Sequence, residues 1–337
     1  MLNRRNLLKG AAAFAGTGLL TTPAILRAQG LEEIRVMTPF SYGSSFIEML
    51  NATSGGHWEA NGVQAVMEAG RGGSQTMQQL VAGQTDFIRI SSIEQMRAIE
   101  ATKADLVTFS TLYQASTFHV VSLNDKPINA AEDMVGKTIG LVSVGGSTEI
   151  FLDLMLDNVG VDKASVKREV TGDSPSALDV MQAGRIDAFM CSINVVVAMR
   201  EMGAPVTIWS TDKYAPMPSQ GYVALRSTLT EKGDLFVRVL KGLHASVTEL
   251  MTEPTGPIFV RAAKDFEIPG YDDAERLTAI VKTTAEELWL SQGKENLMRN
   301  VPELWVKGLD TLTKAKMVTN TDPALYWTND YIEKALA

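Results

Sequence analysis

The run Gly145-Gly146-Ser147-Thr148 has the residue types of a loop that holds a ligand through its backbone. It follows the aliphatic segment 138–142, which predicts a buried strand, and precedes apolar residues at helical spacing. Glycine lets the backbone approach a ligand closely, and the first N–H groups of a helix have no partners inside the helix. Such groups attract an anion or a polar ligand atom. The alternative interpretation is an ordinary turn whose helix is capped by Ser147 or Thr148.

Other glycine- and serine-rich loops carry side chains that bind small molecules in different ways. Arg71 stands between glycines, where its guanidinium could form a forked hydrogen bond to a carboxylate or sulfonate, or remain solvated. Phe40 and Tyr42 could stack on a planar or apolar ligand, or pack in the core. Asp173 could bind a ligand amine, but a cap for the helix that begins near Pro175 is the simpler role.

The composition excludes several classes of function. The net charge is −8, and the first 30 residues hold four basic and no acidic residues, so without them it would be −12. Such an acidic chain is poorly suited to nucleic acid or to an anionic membrane surface. With Cys191 as the single cysteine and only His57, His119 and His244, we expect no disulfide, metal centre or cofactor. The nucleotide-binding glycine patterns and the serine-hydrolase and zinc-protease motifs are also absent from the sequence.

Residues 1–28 have the layout of an export signal, with a basic start, an apolar middle and a small residue at the end. The pair Arg4-Arg5, followed by apolar residues and Lys9, resembles a twin-arginine signal. We place cleavage near Ala28. An ordinary secretory signal or an uncleaved anchor is the alternative, and in each case the mature protein would work outside the cytoplasm, in the periplasm.

Strand and helix patterns alternate along most of the chain, which is typical of an α/β protein. The predicted strands lie at residues 34–37, 63–67, 86–90, 106–112, 118–123, 138–142, 165–170, 186–191, 206–210 and 221–225. The strands at 118–123 and 221–225 are interpreted as crossings to and from a second lobe. The helix after residue 146 is expected to end at Gly160, and residues 231–337 to be mainly helical.

A weak internal repeat supports two lobes of similar build. Ala82-Gly83 with Asp86, and Ala183-Gly184 with Asp187, occupy matching positions 101 residues apart, each between a helix and a strand. A corner of this kind is common, so its value is topological. Ligands of open α/β sheets bind beyond the carboxyl ends of the strands, where both lobes carry polar loops.

Three segments together resemble a known family. They are Gly-Lys-Thr-Ile-Gly at 136–140, Gly-Gly-Ser-Thr at 145–148 and Met-Gln-Ala-Gly-Arg-Ile-Asp-Ala at 181–188. In that order they are similar to the second lobe of the periplasmic substrate-binding proteins that serve ABC importers of sulfonates, nitrate and thiamine-pyrimidine precursors, the NMT1/THI5-like family. The resemblance covers about residues 34–250.

The resemblance implies a type II periplasmic-binding-protein fold, in which two lobes, each a mainly parallel sheet flanked by helices, are joined by crossing hinge strands. Lobe 1 would comprise residues 31–118 and 220–337, and lobe 2 residues 119–219. The ligand would lie in the cleft between them. The ligand-binding residues implied by this mapping are Phe40, Ser41, Tyr42, Ser44, Arg71, Gly73, Ser74, Ser91, Ser92, Ser143, Gly145, Gly146, Ser147, Thr148, Thr171, Asp173, Ser192 and Asn194.

The same resemblance implies a monomeric binding protein, not an enzyme, that delivers a small solute to an ABC permease. A small organic anion such as a sulfonate or carboxylate, or a pyrimidine-like solute, would be its ligand. One alternative is a solute receptor of a TRAP-type transporter or of a sensor. Another is an enzyme like thiamine-pyrimidine synthase, which would use iron, an active-site histidine and a cysteine-rich segment; the single cysteine and the export signal argue against it.

Overall fold

The computed structural model describes residues 30–337, so the predicted export signal at residues 1–28 lies outside the described residues. Within them, ten strands form two five-stranded sheets. The strands are β1 (Glu32–Thr38), β2 (Val63–Ala69), β3 (Phe87–Ser91), β4 (Leu106–Tyr113), β5 (Phe118–Leu123), β6 (Thr138–Leu141), β7 (Lys167–Val170), β8 (Ala188–Ser192), β9 (Val206–Ser210) and β10 (Gln220–Leu225). Each predicted strand is present, with ends that differ by up to two residues.

The sheets have the same arrangement. Their orders are β2-β1-β3-β10-β4 and β7-β6-β8-β5-β9. In each sheet the first three strands are parallel and the fourth is antiparallel to both neighbours. The reversed strands, β10 and β5, are those that the chain enters from the other sheet. Both crossings therefore connect the carboxyl edge of one sheet to the carboxyl edge of the other.

Twelve α-helices in the described part of the chain flank these sheets. They are α1 (Ile47–Ser54), α2 (Gly73–Val81), α3 (Ser92–Thr102), α4 (Ser147–Asn158), α5 (Ala177–Gln182), α6 (Ile193–Glu201), α7 (Arg226–Glu231), α8 (Gly233–Thr252), α9 (Thr255–Ala262), α10 (Ala274–Thr284), α11 (Pro302–Lys314) and α12 (Asp330–Leu336). The helix α10 continues into a π-helical turn, Ala285–Trp289. The predicted helical character of the C-terminal third is confirmed.

The apolar periodicity of the sequence accounts for the core. In α8, Leu235, Val239, Leu243 and Val247 are buried to within 2% of complete burial, as their spacing predicts. The helix α11 belongs to a second core, in which its apolar face packs with residues of β6 and α4. The C-terminal segment therefore supports both sheets.

The internal repeat corresponds to a repeated hydrogen-bond pattern. The carboxylate of Asp86 accepts the N–H of Arg35 on β1 at 2.8 Å, and that of Asp187 accepts the N–H of Thr138 on β6 at 2.8 Å. Gly83 and Gly184 precede these corners with φ of 69° and 72°. The same corner therefore fixes the start of the corresponding strand in each sheet.

The helix α4 begins differently from the prediction. Gly146 is its N-cap and makes no side-chain cap, so the proposed capping by Ser147 or Thr148 is wrong. The Thr148 hydroxyl instead accepts the N–H of Val142 at 3.2 Å and closes the turn after β6. Gly160, with φ of 71°, follows the helix in the left-handed conformation that the sequence predicts.

Gly242 makes a close contact that a stability measurement can test. A Cβ at this position would lie 2.4 Å from Cδ1 of Trp58. Trp58 is 1% exposed, and its indole N–H donates to Val239 O at 3.0 Å, so the ring cannot move freely. We expect Gly242→Ala to lower the free energy of unfolding by about 1–3 kcal/mol, measured by urea denaturation.

The matched control is Gly233→Ala at the start of the same helix, where a Cβ would have its nearest neighbour at 3.4 Å. That variant should be at least as stable as the wild type, because alanine favours the helix. Equal stability of the two variants would show that the ring of Trp58 yields without cost.

Glu249 makes the stability depend on pH. Its carboxylate accepts hydrogen bonds from Asn51 at 2.9 Å and Arg261 at 2.8 Å and lies 2.7 Å from His57 Nε2. Burial acts to raise the pKa of Glu249, but these hydrogen bonds outweigh it and lower the pKa to about 2. The unfolded chain has a pKa of about 4.3 at this group, so the stabilisation is complete above about pH 5 and is lost as the pH falls toward 2.

Glu249→Gln should therefore destabilise the protein at neutral pH, and its difference from the wild type should shrink as the pH falls from about 5 toward 2. Urea unfolding across this range measures the effect. Glu253→Gln, which changes an exposed carboxylate just after the same helix, is the control. A difference that does not change with pH would contradict the assignment.

Candidate functional site

The predicted ligand loops lie at the carboxyl edges of the two sheets. In the first sheet they follow β1 and β2 and begin at the end of β3, and in the second they follow β6 and β7 and begin at the end of β8. The two crossings join these edges, so loops from both lobes meet there. The side-chain amide of Asn194 donates to the hydroxyl of Ser45 at 3.3 Å.

The contact between Ser45 and Asn194 closes a narrow seam between the lobes. We use the word seam for the hollow lined by Ser44, Ser45, Tyr113, Asn194 and residues of α10. Its volume is about 10 Å³, which is room for about one water molecule. An organic solute can enter here only if the lobes separate.

A buried ion pair contacts two residues that line the seam, Ser45 and Tyr113. Arg89 Nε lies 3.2 Å from Glu48 Oε1, and both side chains are at most 2% exposed. The Arg89 guanidinium lies 5.0 Å from the ring centre of Phe46 and 4.5 Å from that of Tyr113, and it donates to the carbonyl of Ser45 at 2.5 Å. Burial raises the pKa of Glu48, and the charge of Arg89 opposes this. The pair thus holds the turn that carries Ser44 and Ser45 against the sheet.

The aromatic residues of the first loop have different environments. The ring of Tyr42 packs edge-on against Phe266 with centroids 5.0 Å apart, so its packing role is the one that the structure shows. Burial, with a contribution from Glu68, raises the pKa of the Tyr42 hydroxyl. Phe40 is 59% exposed, and Ser41 beside it is also exposed. Phe40 therefore remains accessible to a partner molecule.

The loop before α2 does not concentrate positive charge. Arg71 is exposed; its backbone N–H donates to Gln75 at 3.1 Å, and its guanidinium makes no hydrogen bond or ion pair with another described residue. Ser74 is exposed as well. Gly73 faces a carboxylate, because a Cβ there would lie 2.2 Å from Glu94 Oε1. Burial raises the pKa of Glu94.

The two serines at the end of β3 are engaged by the chain itself. Ser91 caps α3, and its hydroxyl accepts the N–H of Glu94 at 3.4 Å. Ser92 is 4% exposed, and its hydroxyl donates to the carbonyl of Pro218. These hydroxyls hold α3 and the approach to β10, which gives both residues a structural role.

The loops of the second sheet also bind one another. The Thr171 hydroxyl donates to Leu141 O at 3.3 Å, and Asp173 accepts the N–H of Ser192 at 2.9 Å. The predicted cap by Asp173 of the helix near Pro175 is wrong, because α5 has no side-chain cap and Asp173 binds the end of β8 instead. The Ser192 hydroxyl oxygen is buried and has no partner among the described residues.

The predicted anion-binding turn is occupied by a carboxylate of the protein. Gly145 has φ of 70°, and its N–H donates to Glu149 Oε2 at 2.5 Å. Ser143 closes the other side, since a Cβ on Gly146 would lie 2.2 Å from its hydroxyl oxygen. Glu149 is the third residue of α4, the position from which acidic side chains commonly reach back to helix N-termini. An anionic ligand would have to compete with Glu149.

Sequence reasoning missed two residues of this site, Arg89 and Tyr113, and placed Ser45 in a cleft loop without choosing it as a ligand residue. Arg89 could have been found, because it interrupts the apolar strand Phe-Ile-Arg-Ile, where an arginine is buried only if it is paired. Tyr113 could not, since its role depends on contacts with distant segments.

The described residues contain no group of three or more histidine, cysteine, aspartate or glutamate side chains arranged to hold a metal ion. None of the helices in residues 30–337 combines the length and apolar character that crossing a membrane requires.

The Arg89–Glu48 pair can be tested by a double-mutant cycle. Arg89→Met leaves the Glu48 carboxylate buried without a counter-charge, and we expect it to cost about 3–5 kcal/mol of unfolding free energy. The double variant Arg89→Met with Glu48→Leu should recover most of this loss, because no unpaired charge remains. Urea denaturation measures both. Costs that simply add would show that the two side chains act independently.

A sequence model described as "NMT1/THI5 like" matches residues 44–256, which is more than half of the chain. Comparison with curated protein sequences gave no match.

Solved structures show the same fold at low identity. The periplasmic aliphatic sulphonate binding protein SsuA from Escherichia coli has 17% identity and a TM-score of 0.66, over 89% of this chain and 99% of that chain. The periplasmic nitrate-binding protein NrtA from Synechocystis PCC 6803 has 10% identity and a TM-score of 0.60, over 90% of this chain and 88% of that chain. The desulfurization enzyme DSZB has 11% identity and a TM-score of 0.56, over 90% of this chain and 99% of that chain. The two-lobed fold of the periplasmic binding proteins is thus confirmed, and the chain belongs to the NMT1/THI5-like family.

Proposed function

We propose that this protein binds a small solute between its two lobes and delivers it to the membrane permease of an ABC importer. The observation that carries the proposal is the meeting of loops from both sheets at the seam, where Asn194 donates to Ser45. Two relatives of the same fold are by name periplasmic binding proteins, for aliphatic sulphonates and for nitrate. In this proposal the protein performs no catalysis.

The proposed lobes are residues 31–118 with 220–337, and residues 119–219. In the proposed motion the two lobes rotate toward and away from each other about the two crossings. Opening breaks the hydrogen bond between Asn194 and Ser45 and separates α6 from α10, which pack together in this structure. The ligand then enters between the carboxyl edges, and closure buries it. Export to the periplasm, by the twin-arginine route that residues 1–28 suggest, belongs to the same proposal.

The charges at the helix starts bear on the class of ligand. Glu149 accepts the N–H of Gly145, Asp173 accepts that of Ser192, and Glu94 lies beside the first residue of α2. Glu149 also pairs with Arg168 at 3.4 Å, which reduces but does not remove the repulsion that a sulfonate or carboxylate would meet at these positions. A neutral pyrimidine-like solute with amino groups could instead donate hydrogen bonds to these carboxylates and stack on Phe40. We therefore favour the pyrimidine-like class over the anionic one.

A thermal-shift panel tests both the function and the ligand class. Aminopyrimidines, alkanesulfonates, short carboxylates and nitrate would each be added to the purified mature protein. We expect an aminopyrimidine to raise the unfolding midpoint, because a ligand that binds only the folded state stabilises it. A folded protein that responds to none of these classes would count against the solute-binding function.

The variant Glu149→Gln separates the two ligand classes. Removing this carboxylate should strengthen the response to a sulfonate and weaken or leave unchanged the response to an aminopyrimidine. The matched control is Glu169→Gln, at an exposed carboxylate 3.5 Å from Arg185. A wild type that already responds to sulfonates, with no gain in Glu149→Gln, would overturn the preference for a pyrimidine while leaving the binding function in place.

A further inference from the structure

A second cavity, of about 280 Å³, lies beside the two crossings and shares no lining residue with the seam. We call it the hinge cavity. The first crossing contributes Gln114 and Ser116, the second Ser210 and Asp212, and the π-helical turn contributes Glu287. None of the ligand-binding residues predicted from the sequence lines it. Its volume is close to the lower end of the range for small-molecule sites, about 300–1,000 Å³.

Asp212 is the most unusual group in this cavity. One of its carboxylate oxygens accepts the N–H of Ser116 at 2.7 Å and the hydroxyl of Ser210 at 3.2 Å. The other oxygen is buried and makes no hydrogen bond of ordinary length among residues 30–337, and the carboxylate forms no ion pair with a described residue. Burial raises the pKa of Asp212 to about 6, against the hydrogen bonds from Ser116 and Ser210 and the backbone N–H of Met217. A cation would stabilise this carboxylate.

Two further side chains of the cavity each have a buried polar atom without a hydrogen-bond partner. Gln114 is 1% exposed, and its amide nitrogen donates to the carbonyls of Thr111 at 2.9 Å and Arg299 at 2.6 Å. This arrangement fixes the orientation of the amide and leaves its oxygen, which is buried, without a donor in the described part of the chain.

His119 is 4% exposed, and burial lowers its pKa to about 4, so the ring is neutral at pH 7. Its Nε2 faces Glu287 at 3.8 Å, a carboxylate that also pairs with Arg200 at 2.5 Å. The separation of His119 from Glu287 is longer than a hydrogen bond. The other ring nitrogen, Nδ1, is buried and has no hydrogen-bond partner among the described residues.

The remaining lining of the cavity is partly apolar. Ala115, Pro216, Leu288 and Leu304 border it together with the polar groups. A molecule that fills the cavity must therefore combine hydrogen-bond donors with apolar surface. A primary ammonium has three N–H donors and a positive charge, and a short alkyl chain supplies the apolar part.

We propose that the hinge cavity is a binding site for a small alkylammonium compound, separate from the seam and independent of the solute that the seam takes. Asp212 receives the ammonium group, and the amide oxygen of Gln114 accepts a further N–H bond. Since Asp212 also joins the two crossings through Ser116 and Ser210, an occupant of this site stiffens the connection about which the lobes move.

Calorimetric titration and thermal shift with n-butylammonium test the proposal on the mature protein, with n-butyrate and n-butanol as probes of equal length. We expect n-butylammonium to raise the midpoint and n-butyrate to have no effect. Asp212→Asn keeps an acceptor for the N–H of Ser116 but removes the charge, and it should weaken n-butylammonium binding at least about tenfold. The control Asp310→Asn removes a surface carboxylate paired with Lys314 at 2.7 Å and should bind as the wild type does.

A second variant covers the case in which Asp212→Asn does not fold. Ser291 is exposed and lines the cavity, so Ser291→Phe obstructs it without touching Asp212. Circular dichroism establishes that each variant is folded. An n-butylammonium response that is absent in the wild type, or unchanged in both variants, or matched by n-butanol, would overturn the proposal. We expect Glu149→Gln to leave this response unchanged, so the outcome is separate from that of the proposed function.

Discussion

Each of the two crossings connects the carboxyl edge of one sheet to the carboxyl edge of the other sheet. This constraint follows from the single reversed strand in each sheet, β10 and β5, which the chain enters directly from the opposite sheet. Loops that follow parallel strands therefore face loops of the other sheet, and a site between them is built from both lobes. The meeting of Ser45 with Asn194 across 149 residues of sequence is a direct result. The binding function that we propose depends on this geometry.

Two helix starts at the carboxyl edge of the second sheet are contacted by carboxylates of the protein itself. A glycine-rich turn before a helix usually offers N–H groups to an anion, but at Gly145 the carboxylate of Glu149 already accepts one. Asp173 has a similar role at the start of α6. The local electrostatic field that favours an anion is thus partly cancelled by the chain itself. The fold alone does not decide the ligand, because relatives of the same fold include a nitrate-binding protein and an enzyme.

Buried charge occurs where the two lobes join. Arg89 and Glu48 neutralise each other and hold the turn of the seam, whereas Asp212 has no described counter-charge. Burying an unpaired carboxylate is costly, so such a group persists where it has a role. Asp212 ties the two crossings together through Ser116 and Ser210. The two crossings are therefore joined by a carboxylate that has no positive charge beside it among the described residues.

Local sequence patterns predict the strands and helices of this protein and their order along the chain. The apolar run of β5 and the spacing of Leu235, Val239, Leu243 and Val247 predicted a strand and a buried helix face, and both are present. These patterns are local, because a strand or a helix turn is specified within about ten residues. The repeated Asp86 and Asp187 corner was also visible, and the structure shows its hydrogen bonds.

The contact partners of the polar residues, in contrast, follow from the tertiary structure and not from local sequence patterns. Ser92, chosen from the sequence as a ligand residue, is buried against Pro218, and Gly145 is bound by Glu149 rather than left open. Conversely, Tyr113 and Asp212 became notable only when segments far apart in the chain came together. A serine or an aspartate has the same local pattern whether its partner is a ligand or a distant backbone group. The partner is determined by packing between elements, which periodicity and spacing do not encode.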